Sequence, residues 1–142
     1  MSSIILKGNA SGSGSVTLQS ANTSSTLTQT LPSTDSVTLG YLNVPAVGEK
    51  TSSYTLATGD VGKYVRVGTS GSITIPDATF SEGDVVSIYN GTTGSITITC
   101  TITTAYIAGT DSDKASVSLA TRGVATILFI SGTVCVITGN VS

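Results

Sequence analysis

Apolar and polar residues alternate with a period of two along much of this chain, the pattern of a strand with one face buried. A helical spacing of apolar positions is hard to find. One five-residue phrase occurs five times with small changes: Gly14-Ser-Val-Thr-Leu18, Asp35-Ser-Val-Thr-Leu39, Gly71-Ser-Ile-Thr-Ile75, Gly94-Ser-Ile-Thr-Ile98 and Ala115-Ser-Val-Ser-Leu119. Each copy sets Val or Ile and Leu or Ile on one face and Thr or Ser on the other. The copies stand 21 to 36 residues apart, too unequal for a strict solenoid repeat. The phrase therefore reads as a strand type that a Ser/Thr-rich β protein reuses.

Turn residues divide the strands. Asn90-Gly91, followed by Thr-Thr-Gly94, predicts a hairpin between Asp84-Val-Val-Ser-Ile-Tyr89 and Ser95-Ile-Thr-Ile-Thr-Cys100. Ser131-Gly132-Thr133 predicts a second, between Ala125-Thr-Ile-Leu-Phe-Ile130 and Val134-Cys-Val-Ile-Thr138. The strands of this second pair are apolar on both faces, so they are expected to be central and covered by another sheet or by neighbouring subunits. Pro32, Pro45 and Pro76 follow extended stretches and are expected to end strands. Residues 8–36 are low in complexity, with few apolar positions, and such a stretch buries little surface unless a partner covers it. The predicted architecture is all-β. It comprises an N-terminal arm or small β-layer over residues 1–50 and a β-sandwich or barrel-like domain of short antiparallel strands over residues 51–142.

Composition narrows the function. Charged residues are 10% of 142, Ser and Thr together are about a third, and His and Trp are absent. Six Lys and Arg against eight Asp and Glu leave no basic patch for a phosphate backbone, so nucleic acid is not an expected partner. No apolar run approaches the ~18 residues of a membrane helix, and the start, Met1-Ser-Ser-Ile-Ile-Leu-Lys7, is too short in apolar residues for a secretory signal. Without histidine, Ser-His-Asp, Cys-His and His-zinc arrangements are absent.

From Ser53-Tyr-Thr-Leu-Ala-Thr-Gly-Asp-Val-Gly-Lys-Tyr-Val-Arg-Val67 onward, the order of phrases resembles a β-rich module of tailed-bacteriophage virion proteins, found in head decorations and in head and tail fibres. The resemblance continues through Ser72-Ile-Thr-Ile-Pro76, Phe80-Ser-Glu-Gly-Asp-Val-Val-Ser-Ile-Tyr89 and Gly94-Ser-Ile-Thr-Ile98. It closes with Arg122-Gly-Val-Ala-Thr-Ile-Leu-Phe-Ile130 and Val134-Cys-Val-Ile-Thr-Gly-Asn-Val141. Gly14-Ser-Val-Thr-Leu18, Ala21-Asn-Thr-Ser-Ser25 and Leu27-Thr-Gln-Thr-Leu-Pro32 are similar to a strand-and-turn phrase of phage structural proteins. The module often carries a Trp near its end, and Cys135 stands at about that place. The resemblance implies virion structure and no catalytic residues.

Candidate chemistry is sparse. Cys100 continues the face of Ile96, Ile98 and Ile102, and Cys135 lies in an apolar run, so both read as buried reduced thiols ahead of a disulfide or an intermolecular crosslink. Asp111 and Asp113, joined by Asp77, Glu82 or Asp84, would offer oxygen ligands to Ca²⁺, but their spacing lacks a loop signature and acidic turn residues have conformational uses. Glu82 and Asp84 are the nearest approach to a glycosidase carboxylate pair. Asn-x-Ser/Thr triplets at Asn9, Asn22, Asn90 and Asn140 are expected by chance at this composition, and the five tyrosines are scattered. No catalytic, cofactor-binding or metal-ligating set is assigned.

The expected function is a non-enzymatic virion protein: a capsid decoration, or cement, protein that binds the major capsid protein and stabilises the head. A homotrimer, made in the bacterial cytoplasm and carried on the capsid surface, is expected from the short amphipathic strands. The chain reads as complete, without the long shaft of a tail fibre. The alternative is a head-fibre or tail-fibre tip that touches a host-surface receptor through loops 90–94 and 109–114.

Overall fold

The computed structural model describes residues 43–142. Residues 1–42, with most of the expected arm, Pro32 and the first two copies of the repeated phrase, lie outside the described residues. Ten strands follow: β1 (Ala46–Lys50), β2 (Ser53–Thr55), β3 (Tyr64–Val67), β4 (Ser72–Ile75), β5 (Val85–Asn90), β6 (Ile96–Cys100), β7 (Thr104–Ile107), β8 (Ser116–Leu119), β9 (Val124–Ser131) and β10 (Val134–Gly139). A single 3₁₀ turn, Thr58–Asp60, is the one helical element among the described residues, so none there is long and apolar enough to cross a membrane. The protein is all-β over this span.

The strands form a six-stranded sheet in the order β1-β3-β5-β9-β10-β7 and a four-stranded sheet in the order β2-β4-β6-β8. The first nine alternate between the sheets, so each turn of chain lays one strand on each. Five of the eight pairings are parallel. This corrects the expectation of antiparallel strands. A strand that leaves for the opposite sheet and returns a turn later arrives beside its predecessor running the same way. The predicted hairpin at Asn90 is corrected for the same reason. β5 and β6 belong to different sheets, and the segment between them is an arch across the core. The second predicted hairpin is present: β9 and β10 pair antiparallel, with Val136 opposite Leu128 and Ile137 opposite Ile127.

Three copies of the repeated phrase become β4, β6 and β8, neighbours in the smaller sheet. Their shared pattern has a physical reason. Ile73, Ile75, Ile98, Val117 and Leu119 are all 2% exposed or less, and Thr97 and Thr99 face outward. The larger sheet adds Val65, Val67, Val86, Ile88, Ile127, Phe129 and Ile137 to the same core, with Phe80 stacked on Phe129. Each such side chain contributes about 1.5–3 kcal/mol on burial. Pro76 directly follows β4 as expected, whereas Pro45 precedes β1 rather than ending a strand. Its carbonyl accepts from the Tyr64 N–H at 3.0 Å, and a strand's first positions tolerate proline because no ladder N–H is needed there.

Candidate functional site

Two surface features emerge from this scaffold. The first is the outer face of the six-stranded sheet. With Ala125, Ile127 and Phe129 turned inward, the period of two leaves Val124, Leu128 and Ile130 outside, 47%, 41% and 45% exposed. Register extends the apolar row: Val85 of β5 lies opposite Leu128, Leu128 opposite Val136 of β10, and Val136 opposite Tyr106 of β7. These four strands contain no charged residue. Charge returns at both edges: exposed Asp113 bridges to Tyr106 beside β7, and toward β1 Arg66 and Glu49 pair at 3.0 Å in solvent.

The second feature is an open cleft of about 660 Å³, walled by residues 69–72, residues 91–97 and Arg122. Asn90 supports it from below. Its side chain is fully buried, and Nδ2 donates to the carbonyls of Gly94 (2.8 Å), Ala120 (2.9 Å) and Leu119 (3.2 Å). Its Oδ1 accepts from the Thr92 N–H (2.9 Å) and hydroxyl (2.8 Å). One amide thus folds the β5–β6 arch and ties it to the end of β8. The turn after β8 clasps the arch from the other side, as the Thr121 hydroxyl donates to the Thr93 carbonyl at 3.0 Å and Arg122 Nη1 donates to the Gly91 carbonyl. Gly71 lets the β3–β4 turn pass close to β1, since a Cβ there would stand 2.3 Å from the Lys50 carbonyl oxygen.

Three non-glycine residues among those described have positive φ: Ser70 (66°), Ala78 (49°) and Arg122 (55°). Ser70 and Arg122 both line the cleft. Such conformations cost about 1 kcal/mol or more relative to glycine. Arg122 has no carboxylate partner among the described residues.

The chain matches no protein-family model, no curated protein and no solved structure.

The acids singled out in the sequence do not converge. Asp77 accepts from the N–H and hydroxyl of Thr103 (2.8 and 3.0 Å), Asp84 from the Ser81 N–H (2.9 Å) and Asp113 from the Ala105 N–H (2.8 Å). Each fixes a turn or a strand start, while Asp111 and Glu82 are exposed. No group of three or more His, Cys, Asp or Glu among the described residues is arranged to hold a metal ion. Asp84 is therefore tied to its own turn rather than matched with Glu82. Asn90 is buried and Asn140 accepts from the Val124 N–H at 3.1 Å, whereas Asn9 and Asn22 lie outside the described residues.

Both cysteines are buried and unpaired with each other. Burial, then the charge of Asp113, pushes the Cys100 thiol up to about 11. Burial, with Cys100 and then Asp113 adding to it, pushes Cys135 to about 12, so both stay protonated at neutral pH. The tyrosines are less scattered than the sequence suggests. Tyr64, Tyr89 and Tyr106 share the outer face of the large sheet, while Tyr54 turns inward. The Tyr54 hydroxyl donates to Asp60, 3% exposed, at 3.1 Å to both oxygens, and Lys50 Nζ lies 4.1 Å from its ring centroid. Burial, and then the Asp60 bond, raises the Tyr54 phenol above its ordinary value. Asp60, Asn90 and Arg122 went unassigned in the sequence. A polar residue closing an apolar alternation, as Asn90 does after Val86 and Ile88, was the available signal.

Proposed function

We propose that this protein is a structural component of a tailed-phage particle, a capsid decoration protein that works by contact and not by catalysis. The observation that carries the reading is the uncharged, apolar outer face of β5, β9, β10 and β7. A surface without charges gives up little solvation when covered, and exposed Leu, Ile and Val gain from being covered. Summed over many copies, a contact of modest quality stabilises a shell. The phrase order resembling phage virion modules supplies the partner, the major capsid protein, and the location, the capsid surface after synthesis in the bacterial cytoplasm. Self-association as a trimer belongs to the same proposal.

Leu128→Asp tests it. Leu128 is half-exposed, so the variant keeps its fold and thermal midpoint within a few degrees, and it loses at least tenfold in co-sedimentation with emptied heads. Wild-type binding by the variant contradicts the assignment of this face. A second reading, a fibre tip that touches a host surface, draws on the cleft, because loop 90–94 forms much of its wall.

A further inference from the structure

The cleft has a chemistry that surface contact does not use. Its wall presents Ser and Thr hydroxyls and glycine backbone, with Ile96 the one large apolar side chain and Arg122 the one formal charge. A lining of this kind offers hydrogen bonds rather than apolar burial, which suits a polyhydroxylated ligand and not a lipid. Its volume, about 660 Å³, falls within the roughly 300–1,000 Å³ usual for ligand clefts.

Arg122 specifies the rest. Its guanidinium is oriented by one hydrogen bond to the Gly91 carbonyl, and no carboxylate neutralises it among the described residues. A guanidinium carries five N–H donors in a planar fork that matches an oxyanion in two-point fashion, and those not given to Gly91 remain for one. Arg122 also holds a left-handed backbone conformation where glycine would be unstrained, as does Ser70 across the cleft. Two polar side chains are thus kept at strained positions on facing loops, on a base fixed by the buried Asn90.

We propose that this cleft binds an acidic saccharide, with Arg122 taking the carboxylate and the Ser and Thr wall taking ring hydroxyls. The site uses a different surface from the capsid contact and stands independently of it.

The test is an amide chemical-shift titration of the full chain with trigalacturonic acid, with its neutral counterpart galactotriose, and with inorganic phosphate. Trigalacturonate is expected to move amides of residues 69–72, 91–97 and 122, and to bind at least tenfold more tightly than either control. Added salt weakens that binding, as an ion pair requires. Arg122→Gly relieves the backbone strain, so the variant folds, as a thermal melt checks, and it loses at least tenfold in affinity. The proposal is overturned if galactotriose or phosphate binds as well as trigalacturonate, if the shifts fall elsewhere, if nothing binds, or if folded Arg122→Gly binds like the wild type. Should that variant fail to fold, the shift map and salt dependence of the wild type decide.

Discussion

Asn90 shows how much one side chain organises. A fully buried amide is costly unless every donor and acceptor is met, and here the carbonyls of Gly94, Leu119 and Ala120 and both donors of Thr92 meet it. Truncation removes all of those bonds at a fully buried position. Asn90→Ala is therefore expected to lower the unfolding free energy by about 2–4 kcal/mol, read from urea denaturation. A loss under about 0.5 kcal/mol, the size of an ordinary surface change, would mean that the amide is not the arch's bracket. The same residue shows the limit of sequence reading. Asn-Gly after an alternating strand is a strong hairpin signal, and it outweighs the one local hint that this amide turns into the core, its shared parity with Val86 and Ile88.

At the level of elements, the alternation told which residues of each strand face inward but not which strands would be neighbours. Ile73, Ile75, Ile98 and Leu119 were legible as inward because parity within a strand is local. The pairing of β4 with β6, with Ile73 opposite Ile98, joins segments a full turn of chain apart, and no short-range pattern encodes it. The short Ser131–Thr133 connection was legible because β9 and β10 pair through it directly. The arches between sheets give the element-scale prediction. Gly71→Ala places a methyl group against the Lys50 carbonyl and should destabilise by about 2 kcal/mol or more. Gly94→Ala, in the other arch, meets nothing within 4 Å and has no positive φ, so it should be neutral or stabilising by about 0.4–1 kcal/mol. Thermal melts of the pair check this, and equal effects would contradict the placement of β1 against the β3–β4 turn.

For the molecule as a whole, two features left blank by composition have become places. Few charges and many hydroxyls translate into an apolar outer sheet face and a hydroxyl-lined cleft on separate surfaces. The face is an extended, uncharged platform built on the central strands β9 and β10, which the sequence read as needing cover. The cleft was only half legible. Loop 90–94 could be singled out as an exposed recognition segment, but the convergence of Ser70 and Arg122 upon it depends on turns that the topology brings together. Both places are proposed to work by contact. A cryo-electron microscopy map of the intact particle tests that claim most directly. The account predicts density for this domain spread over the head, with the outer face of the six-stranded sheet, around Leu128 and Val136, against the capsid subunits. Density confined to the tail or to fibre tips, or a domain held to the shell by any other face, would contradict it.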